Sequence, residues 1–317
     1  MAEQLTAIIP CKNERANIRP CIESLRGLAD EILVADSGST DKTLEIVRNL
    51  GGCRVISREY INSGDFKNWA IPQASHPWVL LVDADERVTP ALANEIRAQL
   101  ERGPEQDGYR IFRDNHFLGH PVRHGSWASD NVLRFFRRDC GRYSGPSDHG
   151  RIRISTQRVG TLREHLLHYT YWSYDQMFCK FQRYAKLQAG EWYVQGRRPS
   201  VVQLLFRAPL RFVRDYVLKR GFLDGTVGIQ VAATSSIYCF LKQAHLWELH
   251  YGRTQSDPEG TVTLSRIAAG AQSGRSTRSI ALSATLDVIA KPVTAGDADS
   301  QPASRNSPYP VGRETDP

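Results

Sequence analysis

The sequence predicts an α/β protein whose first part is built on a largely parallel sheet and whose later part turns helical. Three observations predict it. Over the first hundred residues, short β-rich runs alternate with helix-period segments, the pattern of βαβ units. From about residue 109 the pattern becomes short strands separated by loops rich in Gly, His and Asn, which reads as an antiparallel extension. Beyond Ser173 apolar residues return at three-to-four spacing.

Strands are expected at 5–9, 31–35, 54–57 and 78–82. Between the first two, Ile18, Ile22, Leu25 and Leu28 recur at helical spacing and give a crossover helix with one buried face. A second helix should start near Thr40 and Asp41 and stop at Gly51-Gly52. A third should open at Thr89-Pro90, where a capping threonine precedes a proline at the first helical position. Strands at 109–113 and 132–137 follow. Phe178, Phe181, Tyr184 and Leu187 mark a helix after Ser173, and another follows Pro199-Ser200. From about Gly252 the chain is rich in Ser, Thr, Ala, Gly and Pro without periodicity, so 252–317 is expected to be a disordered tail.

Composition excludes several classes. With 41% hydrophobic and 24% charged residues, collagen-like, wholly disordered and polytopic membrane proteins are disfavoured. The longest apolar stretch, 227–241, is interrupted by Gln230, Thr234, Ser235 and Ser236 and should not cross a bilayer alone. The net charge of +7 is local: residues 180–220 hold ten basic and two acidic side chains. Such a patch can meet phosphate on a membrane, a lipid-linked substrate or nucleic acid, and composition does not choose among them. The six cysteines form no C-x-x-C pair, so neither a zinc site nor a redox pair is suggested. No signal-peptide pattern opens the chain, and a cytosolic, reducing setting is expected.

In an open α/β sheet the ligand crevice lies beyond the carboxyl ends of the strands. Here the first strand exits into Pro10-Cys11-Lys12-Asn13-Glu14, the second into Asp36-Ser37-Gly38-Ser39-Thr40-Asp41, and the fourth into Asp83-Ala84-Asp85-Glu86. Dinucleotide and P-loop fingerprints are absent. Asp83 and Asp85 are two apart at a strand end, so strand periodicity would send both carboxylates to one side, where they can share Mg²⁺ or Mn²⁺ with substrate phosphate. The plainer reading of D-x-D is a turn cap.

Together these clusters are identified as those of the family 2 glycosyltransferases. The residues that carry the resemblance are Pro10-x-x-Asn13-Glu14, Ala35 to Asp41, Lys67-Asn68-x-Ala70 and Leu81 to Val88. Arg123-His124-Gly125-x-Trp127, Arg134-Phe135-Phe136-Arg137-Arg138, His168-Tyr169-x-Tyr171 and Gly221 to Gly225 are similar to the branch containing the lipopolysaccharide-core β-1,4-glucosyltransferases. The resemblance covers about residues 5–250. It implies a GT-A fold with a catalytic domain at 1–170 and a helical acceptor or membrane-surface region at 171–251. It also implies a nucleotide-diphosphate sugar donor, Mg²⁺ or Mn²⁺, and inversion at the anomeric carbon. By matching position, Pro10, Asn13, Glu14 and Asp36 hold the nucleotide, with Ser37 and Ala84 in the same segments; Asp83 faces the nucleotide or ribose and can share the ion, and Asp85 ligates it. Lys67 adds a positive contact or is a solvated surface lysine.

An inverting transfer needs a base for the acceptor hydroxyl. Related sequences show His-Glu where this chain reads Ser147-Asp148-His149-Gly150, so the glutamate position is Gly150. Asp148 is the nearest substitute, Asp130 the second, and His149 is a base, a metal ligand or a structural residue. His165 and His168 would face together on a helix turn, where packing is the favoured role. Trp127, Trp172 and Trp192 stack on sugars or pack in the core, with Trp127 inside a motif that resembles an acceptor loop. In 199–220, Arg207, Arg211 and Arg214 run beside an apolar stripe of Phe206, Leu210, Val213 and Val217, the outline of a helix lying on a membrane with its arginines toward phosphate.

The expected enzyme works on the inner face of the cytoplasmic membrane on a lipid-linked or lipopolysaccharide-type acceptor, with no nucleic-acid partner. Two alternatives stand beside it. A sugar-phosphate nucleotidyltransferase would carry a Gly-rich basic N-terminal loop, which is missing here. A non-catalytic membrane or nucleic-acid binding protein would keep the basic helix and neither transfer nor hydrolyse a donor.

Overall fold

The computed structural model describes residues 3–128, 130–144 and 151–252. The expected tail therefore lies outside the described residues.

Four parallel strands form the first half of the sheet: β1 (Leu5–Cys11), β2 (Glu31–Asp36), β3 (Cys53–Ser57) and β4 (Trp78–Leu81), in the order β3-β2-β1-β4. α1 (Ile18–Leu25), α2 (Thr43–Leu50) and α3 (Ser63–Ala70) connect them. After β4 the chain makes a tight turn into β5 (Glu86–Val88) and then α4 (Pro90–Arg102), where the Thr89 hydroxyl accepts from Leu92 N as the expected cap.

The sheet continues as a mixed extension with β6 (Gly108–Phe117), the short β7 (His120–Pro121), β8 (Asp130–Arg137) and, later, β11 (Val159–Tyr171), in the order β4-β8-β6-β11-β5. β9 (Gly141–Ser144) and β10 (Arg151–Ile154) make a separate two-stranded sheet. Three helices close the described chain: α5 (Tyr174–Val194), α6 (Val201–Val213), which runs into a π turn at Arg214–Leu218, and α7 (Gly225–Tyr251).

Burial follows from strand periodicity. Leu5, Ala7 and Ile9 of β1 pack with Ile18, Ile22 and Leu25 of α1, while Ile8 faces the opposite side with Leu33, Leu81, Phe66 and Ala70. A parallel sheet covered on both faces needs apolar residues in both registers, which explains the near-continuous runs. Truncating Ile22 to Ala is expected to cost about 2–5 kcal/mol, the usual range for a fully buried aliphatic side chain. A third cluster of Phe117, Tyr171, Met177, Phe181 and Val231 seats α5 and α7 on the ends of β6 and β11.

Two local expectations are corrected. Asp83 and Asp85 do not sit in an extended strand, because β4 stops at Leu81 and Glu86 N bonds back to Asp83 O at 2.8 Å, closing a turn. His165 and His168 lie on β11 rather than a helix, so their three-residue spacing places them on opposite faces. No helix among the described residues is long and apolar enough to span a membrane, α7 included.

Candidate active site

The ends of β1 and β2 are tied to each other. Asn13 adopts a left-handed conformation with φ of +56°, and its Oδ1 accepts from Thr40 N at 2.8 Å and Asp41 N at 3.3 Å. Asn13 N in turn donates to Ser39 Oγ at 3.0 Å, and Glu14 N to Thr43 Oγ1 at 2.8 Å. Asp36 is buried and turned into its own loop, accepting from Gly38 N and Ser39 N. Ser37 is buried too, its hydroxyl donating to Cys11 O. Pro10 continues β1 in register with Ala35. These residues build one rigid loop pair at the strand ends, the crevice position expected for a ligand.

Asp83 is locked. Lys67 Nζ from α3 lies 2.9 Å from Asp83 Oδ1, and Arg134 from β8 donates to Oδ2 of the same carboxylate. Burial opposes its charge, but Arg134 and Lys67 hold the Asp83 carboxyl well below the usual carboxylate range. Lys67 is therefore not a solvated surface lysine but is paired with Asp83 at the strand end. Arg134 also reaches Glu86, which is 0% exposed, at 2.8 Å, and Arg113 lies 3.2 Å from the same oxygen and pairs with Asp130. A chain of alternating charges thus runs from Lys67 to Asp130 through the middle of the sheet. Ala84 is buried and its carbonyl accepts from Arg87 Nη1 at 2.8 Å, which fixes the turn.

Asp85 points elsewhere, toward His168. Its Oδ2 lies 3.7 Å from His168 Nε2. Burial again opposes its charge, and a hydrogen bond from His168 in the form that carries a proton on Nε2 would hold the Asp85 carboxyl below its ordinary value. On the other side of the ring, His168 Nδ1 is 2.6 Å from Asn115 Oδ1. Asn115 Nδ2 donates to Trp127 O at 2.6 Å, and a carbonyl can only accept, so the amide presents its oxygen to the histidine. The proton of the neutral imidazole then sits on Nδ1. Nε2 is left with its lone pair directed at a carboxylate, and a pair of acceptors at that spacing suits a cation between them. An outer partner that fixes the tautomer is what a metal-ligating histidine requires. Among the described residues no group of three or more His, Cys, Asp or Glu side chains converges on one point, so an ion here would have two protein ligands and would complete its shell from water and phosphate, as suits Mg²⁺ and Mn²⁺. Glu14 lies close enough to Asp85 and Asp83 to feel their charges; burial raises its carboxyl above the ordinary value, Asn17 opposing.

His168 also lines a cavity of about 230 Å³ with Asn115, Ser126, Trp127, Asp130 and Thr170. Of the proposed bases, Asp130 is thus beside the Asp85–His168 pair, held by Arg113; Asp148 and His149 lie outside the described residues. Trp127 contributes to this wall while packing on Phe117 and Tyr171. Trp172 stacks on Tyr169 at 5.2 Å and donates to Asn17 Oδ1, and Trp192 is buried among α5–α7. His165 instead bonds Asp114 at 2.7 Å, away from the cavity.

The loop at the cavity mouth is clamped. Arg123 N and His124 N both donate to Asp224 Oδ2, His124 Nδ1 is 2.7 Å from Asp224 Oδ1, and Ser126 Oγ donates to Asp215 at 2.5 Å. The two motifs Arg123 to Trp127 and Gly221 to Gly225, a hundred residues apart, are therefore one structural unit. The turn at Gly221 is also packed tightly on α7: a Cβ on Gly228 would lie 1.8 Å from Gly221 O.

Residues 6–158 match the model of Glycosyl transferase family 2. The chain is 32% identical over 251 residues to the lipopolysaccharide core biosynthesis glycosyltransferase LpsC of Rhizobium meliloti (strain 1021), covering 78% of this chain and 93% of that protein. The chain belongs to glycosyltransferase family 2. The family's GT-A-like architecture is the α/β sheet described above, followed by the helical region. Similar solved structures include the Mycobacterium tuberculosis glucosyl-3-phosphoglycerate synthase with Mn²⁺, UDP and glucosyl-3-phosphoglycerate (20% identity, TM-score 0.38, 56% of this chain and 75% of that one). S. aureus TarS 1–349 with UDP is another (14% identity, TM-score 0.40, 79% and 92%). Family membership sets the nucleotidyltransferase alternative aside.

Sequence reasoning missed His168 as the partner of Asp85, and it missed Arg134 and Arg113 as the residues that neutralise Asp83 and Glu86. The available signal was the motif His168-Tyr169-x-Tyr171, which sets a histidine in a β-rich run close to a tyrosine that the structure buries.

Proposed function

We propose that the protein is an inverting, divalent-metal-dependent glycosyltransferase that moves a sugar from a nucleotide-diphosphate donor to a lipid-linked or lipopolysaccharide-type saccharide. The observation that carries this reading is the Asp85–His168–Asn115 arrangement at the carboxyl edge of the sheet, beside a cavity lined by Asp130 and Trp127. Asp85 and His168 would hold Mg²⁺ or Mn²⁺, which would supply positive charge against the departing diphosphate. Asn115 keeps the His168 proton on Nδ1. Lys67 and Arg134 keep Asp83 ionised and fixed, so the turn carrying Asp85 does not move as charge develops. The loops of Asn13, Glu14, Asp36 and Ser37 frame the nucleotide side. Asp148 or Asp130 takes the acceptor proton as the hydroxyl attacks the anomeric carbon from the face opposite the leaving group. The lipopolysaccharide acceptor is supported by the name of LpsC.

The same proposal places the enzyme as a peripheral protein on the inner face of the cytoplasmic membrane. Support comes from α6, none of whose residues is buried: Val201, Val202, Leu205, Phe206 and Leu210 all face outward, Leu210 at 65% exposure. The arginine part of the expectation changes. Arg211 and Arg214 turn to the buried Asp215, at 2.5 and 3.1 Å, so a membrane contact by α6 rests on its apolar side chains.

A thermal-shift screen of nucleotide sugars with and without Mn²⁺ or Mg²⁺ tests the donor half, because a ligand selective for the native state raises the melting temperature. A rise that requires both nucleotide sugar and metal is expected. No rise with any nucleotide sugar at millimolar concentration contradicts the reading.

A further inference from the structure

Apart from the Asp85–His168 centre, α5, the loop at 195–200, α6 and α7 enclose a second cavity of about 270 Å³. Trp192 and Gln243 are buried in its floor, and Arg197, Arg198, Gln203 and Arg207 form its exposed walls. Two independent features mark it as a site. The first is unbalanced charge. The guanidinium groups of Arg197 and Arg207 lie 5.7 and 5.5 Å from the Trp192 ring centroid, and Lys242 Nζ lies 5.9 Å from the same centroid. Arg207 Nη1 reaches Gln203 Oε1 at 3.3 Å. Among the described residues, none of Arg197, Arg198, Arg207 and Lys242 is paired with a carboxylate, in contrast to Arg211 and Arg214 one turn along α6. Burial, together with the charges of Arg207 and Arg211, pulls the Lys242 ammonium below the usual lysine range. In addition, Gln203 stands in the first turn of α6, whose capping residue Ser200 makes no side-chain bond, so the positive end of that helix adds to the same field.

The second feature is an orphaned acceptor. Gln243 is 2% exposed and its Oε1 has no donor. Leaving a buried acceptor unpaired is costly, and such groups are few in folded proteins. A bare anion would satisfy the arginines and leave Gln243 Oε1 empty, whereas a ligand that also carries hydroxyl groups would satisfy both.

We propose that this cavity binds a phosphate monoester bearing hydroxyl groups, the arginines taking the phosphate over the Trp192 face and Gln243 accepting from a hydroxyl. Arginine suits this task because its planar fork bonds two phosphate oxygens at once. The cavity is below the roughly 300–1,000 Å³ of sites for drug-sized ligands, so it holds one phosphorylated unit rather than an oligosaccharide. The same chemistry is offered by a free sugar phosphate and by a phosphomonoester head group in a bilayer.

The full-length protein is titrated calorimetrically with glucose 6-phosphate, methyl phosphate and glucose, and is sedimented with phosphatidylcholine vesicles with and without phosphatidylinositol 4-phosphate. Glucose 6-phosphate should bind more tightly than methyl phosphate, and glucose should not bind. The Arg197→Gln/Arg207→Gln double variant should weaken glucose 6-phosphate at least tenfold. Gln243→Leu, which keeps the volume of the buried side chain, should weaken glucose 6-phosphate several-fold and leave methyl phosphate unchanged. Asp85→Ala should change neither, which separates this site from the donor site. If glucose 6-phosphate fails and phosphatidylinositol 4-phosphate, whose inositol carries both the phosphomonoester and free hydroxyls, retains the protein in a manner lost in both variants, the occupant is the head group. Phosphate binding that is insensitive to the arginine and Gln243 variants, binding lost in Asp85→Ala, or no phosphate binding in either arm overturns the proposal; circular dichroism establishes that each variant is folded.

Discussion

His168 Nε2 faces Asp85 Oδ2 across 3.7 Å while His168 Nδ1 is engaged by Asn115. This relationship couples the turn after β4 to the far strand β11, and it divides the two aspartates of the D-x-D turn into different roles. Asp83 is neutralised by Lys67 and Arg134 and acts as a fixed internal group, whereas the ion-pair partner of Asp85 is a histidine, with Lys180 and Arg87 acting on it through their charges.

The general base is tested by Asp130→Asn and Asp148→Asn made in parallel. Replacing the base should leave donor binding intact and lower transfer by about 10²–10⁴-fold, the usual worth of a positioned general base. Loss confined to Asp148 fits the position nearest the missing glutamate. Loss confined to Asp130 moves the base into the cavity beside His168. An active enzyme indifferent to both changes excludes both residues, and a parent that binds donor but transfers to no acceptor in a broad panel supports the non-catalytic alternative.

The Asp224 clamp should matter for the acceptor more than for the donor. Asp224→Ala removes the acceptor of Arg123 N, which is exposed, and of His124 N, which is half-buried, at the usual net worth of about 0.5–1.5 kcal/mol per hydrogen bond. A lower melting temperature, a raised KM for acceptor and an unchanged Kd for nucleotide sugar are expected. An unchanged acceptor KM would show that the loop at 123–127 does not touch the acceptor.

Much of this could be read from the sequence, for physical reasons that also explain what could not. The runs that became β1, β2 and β4 are buried on both faces, and the cap at Thr89-Pro90 is a local device, so each is written in neighbouring residues. Asp36 and Ser37 stood out by composition, yet their side chains turn into their own loop, a choice made by Gly38 and Ser39 amides that periodicity does not encode. The strand period failed for Asp83 and Asp85 because Glu86 closes a turn there. His168 and Asp85 are 83 residues apart and meet only through the pairing of β11 with β5, and Arg134 reaches Asp83 only because β8 lies beside β4. Such contacts belong to topology, which a single sequence does not print.

Stability should depend on pH through Glu31. Its carboxyl is lowered to about 2; burial opposes the charge, while Arg54, Ser75 and Thr6 bond to it and stabilise the ionised form. A depressed folded-state pKa contributes stability above the ordinary glutamate range that is lost as pH falls toward about 2. Glu31→Gln should therefore lower the urea midpoint at pH 7, and the gap from the parent should narrow by pH 3.5. A gap that stays constant from pH 7 to pH 3.5 rules out this linkage.

Membrane association should follow the apolar face of α6. Leu205→Ser/Phe206→Ser/Leu210→Ser should abolish flotation with anionic vesicles, because the buried apolar area is lost. Arg207→Gln/Arg211→Gln/Arg214→Gln should weaken flotation and remove part of its salt sensitivity, with Arg211 and Arg214 also loosening Asp215. Equal flotation of the serine variant and the parent would show that α6 does not meet the membrane.

The most direct test of the donor centre is a titration of Mn²⁺ and UDP into the parent and into Asp85→Ala and His168→Ala, followed by calorimetry. The account predicts metal-dependent nucleotide binding in the parent, to which the ionised Asp85 carboxylate contributes. It predicts loss of the metal-dependent part in both variants, with their folds intact. Nucleotide binding that is equally tight with and without metal, or metal-dependent binding that survives in both variants, would contradict it.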